Sequence, residues 1–197
     1  VFGFFPKEAF ENQVGLPATP ADRCLLDAPS ERVVDLTTRP ERYCGGELRL
    51  AAEMLLMIDR VTGIWPHGGA QGLGALRAEK SGDAAEWFFK AHFFQDPVQP
   101  GSLGVEALCQ LLQFFMIDRE LGQELAHPRF EPLMLDRPVT WKYRGQVVPT
   151  NKEITTELEI TELGEDARGP YAIGAGWLWV DGKRIYGVKN LGMRIVD

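Results

Sequence analysis

At 197 residues the chain is long enough for one well-filled domain and short for two. Its 45% hydrophobic and 25% charged content excludes disordered and fibrous classes, and a net charge of -7 argues against a nucleic-acid binder. No apolar run is long enough to span a bilayer, so no membrane span is expected. Cys24, Cys44 and Cys109 lack metal-type spacing and cannot all pair, which points to reduced thiols and a cytoplasmic setting. His67, His92 and His127 are too scattered for a metal cluster, so no metal is expected. The charge is uneven: residues 137–197 carry nine Lys/Arg against eight Asp/Glu, and the rest 12 against 20.

Residues 1–48 hold Pro6, Pro17, Pro20, Pro29 and Pro40, spaced too closely for long elements. They read as an irregular arm or linker ahead of a domain over 49–197, with a short helix over Pro6–Gln13. The chain opens on Val1 rather than Met, which fits a piece of a longer protein. Ala51–Val61 is apolar, with Met54 and Met57 reading as core, and Gly68, Gly69, Gly72 and Gly74 then make a turn before a strand through Arg77. Gly72-x-Gly74 lacks the strand–turn–helix context of a dinucleotide site. Trp87–His92 predicts a second, aromatic strand, and Asp96–Gly101 a stiff loop. Ser102–Arg119 is the strongest helix, apolar on most of its circumference and therefore buried; Cys109 within it reads as core. Beyond it the period changes to two around Val139–Tyr143, Ile154–Ile160 and Tyr171–Trp179, and Asp181-Gly182 predicts a hairpin into Ile185–Val196. A long buried helix with antiparallel strands around it gives an α+β class.

The chemistry concentrates in His92-Phe93-Phe94-Gln95-Asp96-Pro97-Val98-Gln99-Pro100-Gly101-Ser102-Leu103-Gly104-Val105-Glu106. Pro97 and Pro100 restrict the loop, Gly101 permits close approach, and the first amides of the helix point into the space ahead. An imidazole, a carboxylate and amide donors suit removal of water from a 3-hydroxyacyl thioester, which needs a base, an acid and donors for the thioester oxygen. His92 is the base, because imidazole titrates near working pH. Glu106 is the acid, in apolar helix surroundings that favour a protonated carboxyl. The amides at Gly101 and Ser102 polarise the carbonyl. Alone, each residue has a plain structural reading: a hydrogen-bonded histidine, and a glutamate complementing the helix dipole. The whole string carries the weight.

That string resembles the active-site segment of the 3-hydroxydecanoyl-[acyl-carrier-protein] dehydratase/isomerase family, and more closely the dehydratase domains of polyunsaturated fatty acid synthases and related multienzymes. The resemblance extends through Met54–Val61, which is similar to a strand of the family, and through Trp87-Phe88-Phe89, Gly145–Thr150 and Val180–Tyr186, covering roughly 49–197 in order. It implies a hot-dog fold, with the helix as sausage and the sheet as bun. It also implies catalytic His92 and Glu106, oxyanion or substrate contacts at Val98, Gly101 and Ser102, and substrate carried on the phosphopantetheine of an acyl carrier protein without another cofactor. Members pair two hot dogs, so a homodimer, or a pseudo-dimer with another hot dog, is implied. Glu106 stands where the dehydratase/isomerase has Asp and dehydration-only relatives have Glu; Ser102 replaces a Cys and Gln99 a Met. Dehydration to a trans-2-enoyl thioester is therefore expected in fatty acid or polyketide synthesis, with or without isomerisation. The alternatives are a hot-dog thioesterase and a non-catalytic half that completes a partner's site. Lys142, Arg144, Lys152, Lys183 and Arg184 are either solvated strand positions or a docking surface for an acidic carrier.

Overall fold

Asp181 and Gly182 both hold positive φ, 48° and 76°, the left-handed pair that a two-residue turn needs to follow the twist of its strands. They join the two long strands at the heart of the sheet in the computed structural model, which describes residues 15–197. The helix expected over Pro6–Gln13 lies outside those residues. Eight antiparallel strands form the sheet: β1 (Val34–Asp35), β2 (Arg60–Trp65), β3 (Ala75–Ser81), β4 (Arg129–Phe130), β5 (Thr140–Tyr143), β6 (Glu153–Asp166), β7 (Gly169–Val180) and β8 (Lys183–Val196). Their order is β1-β2-β3-β6-β7-β8-β4, with β5 also on β8. The helices are α1 (Cys24–Asp27), α2 (Glu41–Cys44), α3 (Phe88–Ala91) and α4 (Gly101–Asp118). The sheet curls around α4, giving the hot-dog fold.

Period-two alternation sorts the side chains to two faces. Ala78, Thr156, Leu178 and Tyr186 stand opposite one another across β3, β6, β7 and β8, and all are buried on the helix side. From Ala107 to Ile117 every residue of α4 except Gln113 is buried. The opposite face carries the rows Arg77–Glu157–Trp177 and Glu79–Thr155–Trp179–Arg184. A register shift beside Trp179 puts Arg184 outward and Tyr186 inward on the same strand.

Residues 30–48 are tied to the helix end. β1 pairs with β2, Leu36 is fully buried, and Tyr43 stacks on Phe114 with ring centroids 4.5 Å apart. Arg32 grips Asp118 through two bonds of 2.8 and 2.6 Å, and the Tyr43 hydroxyl donates to the same carboxylate at 2.7 Å.

Three sequence expectations need correction. Trp87–His92 is not a strand: Phe88 and Phe89 are both buried, which alternation forbids in a half-exposed strand but the single turn of α3 allows. The strand implied over Met54–Val61 begins only at Arg60, after a 3₁₀ turn over Glu53–Leu55. That turn puts Met54 at 65% exposure, whereas Met57 is buried as expected.

Gly104 admits the Tyr186 ring against the helix: a Cβ there would lie 2.1 Å from Tyr186 Cε2. Gly104→Ala should therefore cost about 1–3 kcal/mol by overpacking, read by chemical denaturation. A wild-type midpoint would show that Tyr186 moves aside freely.

Candidate active site

His92 caps the C-terminus of α3, its amide donating to Phe88 O at 3.1 Å. The chain then turns through Gln95, at φ +56°, and Val98 N donates back to Asp96 O across Pro97 at 2.9 Å. This tight turn brings Val98 O to 3.1 Å from His92 Nδ1. A carbonyl only accepts, so Nδ1 carries the proton and Nε2 of the neutral ring is left as the basic nitrogen. The Phe93 ring stacks on the imidazole, with centroids 3.9 Å apart. Val98 thus serves the histidine through its carbonyl, and its side chain is buried.

Gln99 N donates to Val147 O at 3.0 Å, which fixes the loop to the domain before Pro100 caps α4. Leu103 N is spent on Pro100 O, so the amides of Gly101 and Ser102 head the helix without an acceptor among the described residues. These are the orphan donors that attract negative charge to a helix start. Trp141 closes one flank: a Cβ on Gly101 would sit 3.2 Å from its Cη2 and 3.6 Å from the Tyr186 hydroxyl.

Glu106 lies one turn further along α4, half-buried on the stripe that Ser102 and Gln113 also share. Gln110, one turn on again and fully buried, donates to Glu106 Oε1 at 2.8 Å. Its other bonds are to the segment before β2: Nε2 donates to Leu55 O and Met57 N donates to Oε1, both at 2.8 Å. Gln110 escaped the sequence reading. Its signal was there, an amide four residues after a glutamate in an otherwise greasy helix. No hydrogen bond or ion pair joins His92 to Glu106 among the described residues; each is held by its own clamp. Cys109, by contrast, is buried and its thiol pushed up to about 12, chiefly by desolvation and then by Glu106. That is a core sulfur and a poor nucleophile.

Apolar side chains stand exposed around the histidine: Phe94 at 91%, Met54 at 65%, Phe93 at 55%, and Trp87, whose indole donates to Met54 O at 2.8 Å. Of the basic positions, Lys142, Arg144, Lys152 and Lys183 are exposed. Arg184 departs from the docking expectation: it pairs with Asp22 at 3.2 Å and bonds Pro17 O, so its charge is engaged within the chain. No helix among the described residues is long and apolar enough to cross a membrane.

Residues 50–189 match the family described as the FabA-like domain. The whole chain is 32% identical to one of the polyunsaturated fatty acid synthase subunits of Thraustochytrium, of whose length it spans 14%. Among solved structures it is similar to a thioesterase of Pseudomonas aeruginosa, at TM-score 0.41 and 15% identity over 62% of this chain and 74% of that one. It is also similar to the dehydratase heterocomplex ApeI:P of Xenorhabdus doucetiae, at TM-score 0.46 and 9% identity over 75% and 87%.

The amide clamp has a measurable cost. Gln110→Leu leaves the buried Met57 amide without a partner and the Leu55 carbonyl without its donor, so stability should fall by about 1–3 kcal/mol in chemical denaturation. A loss below about 0.5 kcal/mol would mean that water replaces the amide.

Proposed function

Because the chain belongs to the FabA-like domain family, we propose that it dehydrates 3-hydroxyacyl thioesters held on an acyl carrier protein, giving trans-2-enoyl thioesters in fatty acid synthesis. The observation that carries this reading is the Val98–His92 bond beside the start of α4. It leaves a basic ring nitrogen on the loop that leads into two unspent amides, with a carboxyl one turn along the same helix. His92 Nε2 takes the proton from the carbon next to the thioester carbonyl. The Gly101 and Ser102 amides hold the charge that develops on the thioester oxygen, an effect worth about 2.7–4 kcal/mol per donor in other enzymes. Glu106, protonated, gives its proton to the 3-hydroxyl, which leaves as water while the double bond forms. The imidazolium and carboxylate that remain are reset by proton exchange with solvent.

The same geometry supports a second hot dog beside this one. Among the described residues β5 is paired on one side only, its Thr140, Trp141 and Lys142 are exposed, and Trp141 lies against Gly101. An open edge and exposed apolar residues around His92 are the features that a paired copy covers.

Mass spectrometry of a carrier-bound 3-hydroxyacyl series tests the reaction. Loss of one water is the expected change; release of free acid would indicate a thioesterase, and no change a non-catalytic half. His92→Ala should abolish turnover, and Glu106→Gln should lower it by roughly 10²–10⁴-fold. Unchanged turnover in a folded variant would remove that residue from the mechanism.

Carrier docking is proposed on Lys142 and Arg144, exposed on and just after β5. Lys142→Glu with Arg144→Glu should raise KM for carrier-bound substrate, in a salt-sensitive way, and leave a short soluble thioester unaffected. Equal effects on both substrates would exclude docking there.

A further inference from the structure

Residues 16–29 cross the outer face of the sheet and are held there almost entirely by polar bonds. Arg77 Nη1 donates to three carbonyls at the end of α1 and beyond it: Leu25 at 2.7 Å, Leu26 at 2.6 Å and Ala28 at 3.1 Å. Leu16 N donates to Arg184 O at 2.7 Å, and Arg184 itself pairs with Asp22 and bonds Pro17 O. Arg23 donates to Gly182 O at 2.8 Å and lies over the Trp179 ring, and Trp65 Nε1 donates to Pro29 O at 3.1 Å. Neither α1 nor the 3₁₀ turn before it, Ala21–Arg23, contains a buried side chain. Segments with few buried apolar contacts are those that open at low free energy.

Beneath this segment lies a carboxyl that the active site does not use. Glu157 is on the outward row of β6, where α1 packs, and it is 1% exposed. Trp179 Nε1 donates to its Oε2 at 2.7 Å, while Oε1 has no partner among the described residues. Its opposite charges are Arg77 on β3, whose Nη1 is engaged by the segment above while Nε and Nη2 bond Thr62, and Arg184 on β8, which pairs with Asp22 of that segment; Glu159 on its own strand repels it. The crossing segment adds Asp22, Arg23 and Asp27, the first two committed to Arg184 and to Gly182 and Trp179.

We propose that residues 16–29 are a proton-coupled strap, docked on the sheet when Glu157 is neutral and released more readily when Glu157 is ionised. An ionised carboxylate beneath the strap is desolvated and lacks a donor for one oxygen, whereas release hydrates it and frees Arg77 Nη1 and the Arg184 guanidinium. Docked, burial pushes the carboxyl up to about 7 from its ordinary 4.5, against the Trp179 bond and the two arginines. Docking therefore takes up a proton. It is favoured fully below pH 4.5, weakens as pH rises through about 7, and levels off above that. Between pH 5.5 and 8.5 these values give a fall of roughly 30-fold in the docking constant. Asp22, held down to about 2 by its Thr19 bonds and then by Arg184, stays ionised throughout this window.

Amide hydrogen exchange of the whole protein, corrected for intrinsic rates, reads the strap directly, with α4 amides as the control. Protection of Leu16 and of 21–28 should fall by roughly 30-fold from pH 5.5 to 8.5 in the wild type, and Glu157→Gln should hold it constant. Trp179→Phe removes the hydrogen bond that lowers the carboxyl, so it should move the transition to higher pH. Protection independent of pH in the wild type would overturn the strap. An equal fall in Glu157→Gln, or an unmoved transition in Trp179→Phe, would do the same.

Discussion

An 18-residue helix wrapped in a sheet imposes the constraint on which the site depends. Water does not reach most of α4, so each polar group on it must open to the outside or find a partner within. Ser102, Glu106 and Gln113 take the first course, along one stripe spaced at helical intervals. Gln110 takes the second, donating to Leu55 O and the Glu106 carboxyl and accepting from Met57 N. The glutamate is therefore aimed by the way the core satisfies its neighbour. Glycines at 101 and 104 follow from the same constraint, because Trp141 and Tyr186 occupy the space their side chains would need.

The helix, the Asp181-Gly182 turn and the long strands were legible because each is a local signal repeated over many residues. What was not legible was set by segments far away in the chain. β6 alternates as though Thr155 and Glu157 faced water, yet both are buried because residues 16–29 cover that face. Arg184 read as a docking charge for the same reason: its partners, Asp22 and Pro17, are more than 160 residues away. Trp87–His92 misled differently. Aromatic content favours strands, but two adjacent phenylalanines both in the core need a helical turn. In the site, the histidine, the proline-bounded loop and the glutamate all stood in one string; the clamp by Gln110 needed the Leu55–Met57 segment and so needed the fold.

The two faces of the sheet are stabilised by different physics. Inward, Leu76, Leu158, Leu178 and Val188 pack on α4, and this close-packed layer is the least able to open. Outward, arginines bond carbonyls of a segment with no buried side chain in its helical turns, an arrangement that trades readily with water. β8 serves both faces because its register shifts at Trp179. Regular alternation would have placed Arg184 and Tyr186 on one face, losing either the tie to Asp22 or the packing on Gly104.

The loop from His92 to Gly101 joins base and donors into one unit. Val98 donates to Asp96, accepts from His92 and is followed by a residue whose amide is fixed on Val147. Pro97 and Pro100 remove two rotations from the same short stretch. Any shift of Val98 therefore turns the imidazole and displaces the start of α4 together, so the ring nitrogen and the Gly101 and Ser102 amides keep their mutual geometry. Glu106 is outside that unit, anchored through Gln110 to the Leu55–Met57 segment. The separation between base and acid is thus set by how the loop seats on α4, which is where Tyr186 and Trp141 pack.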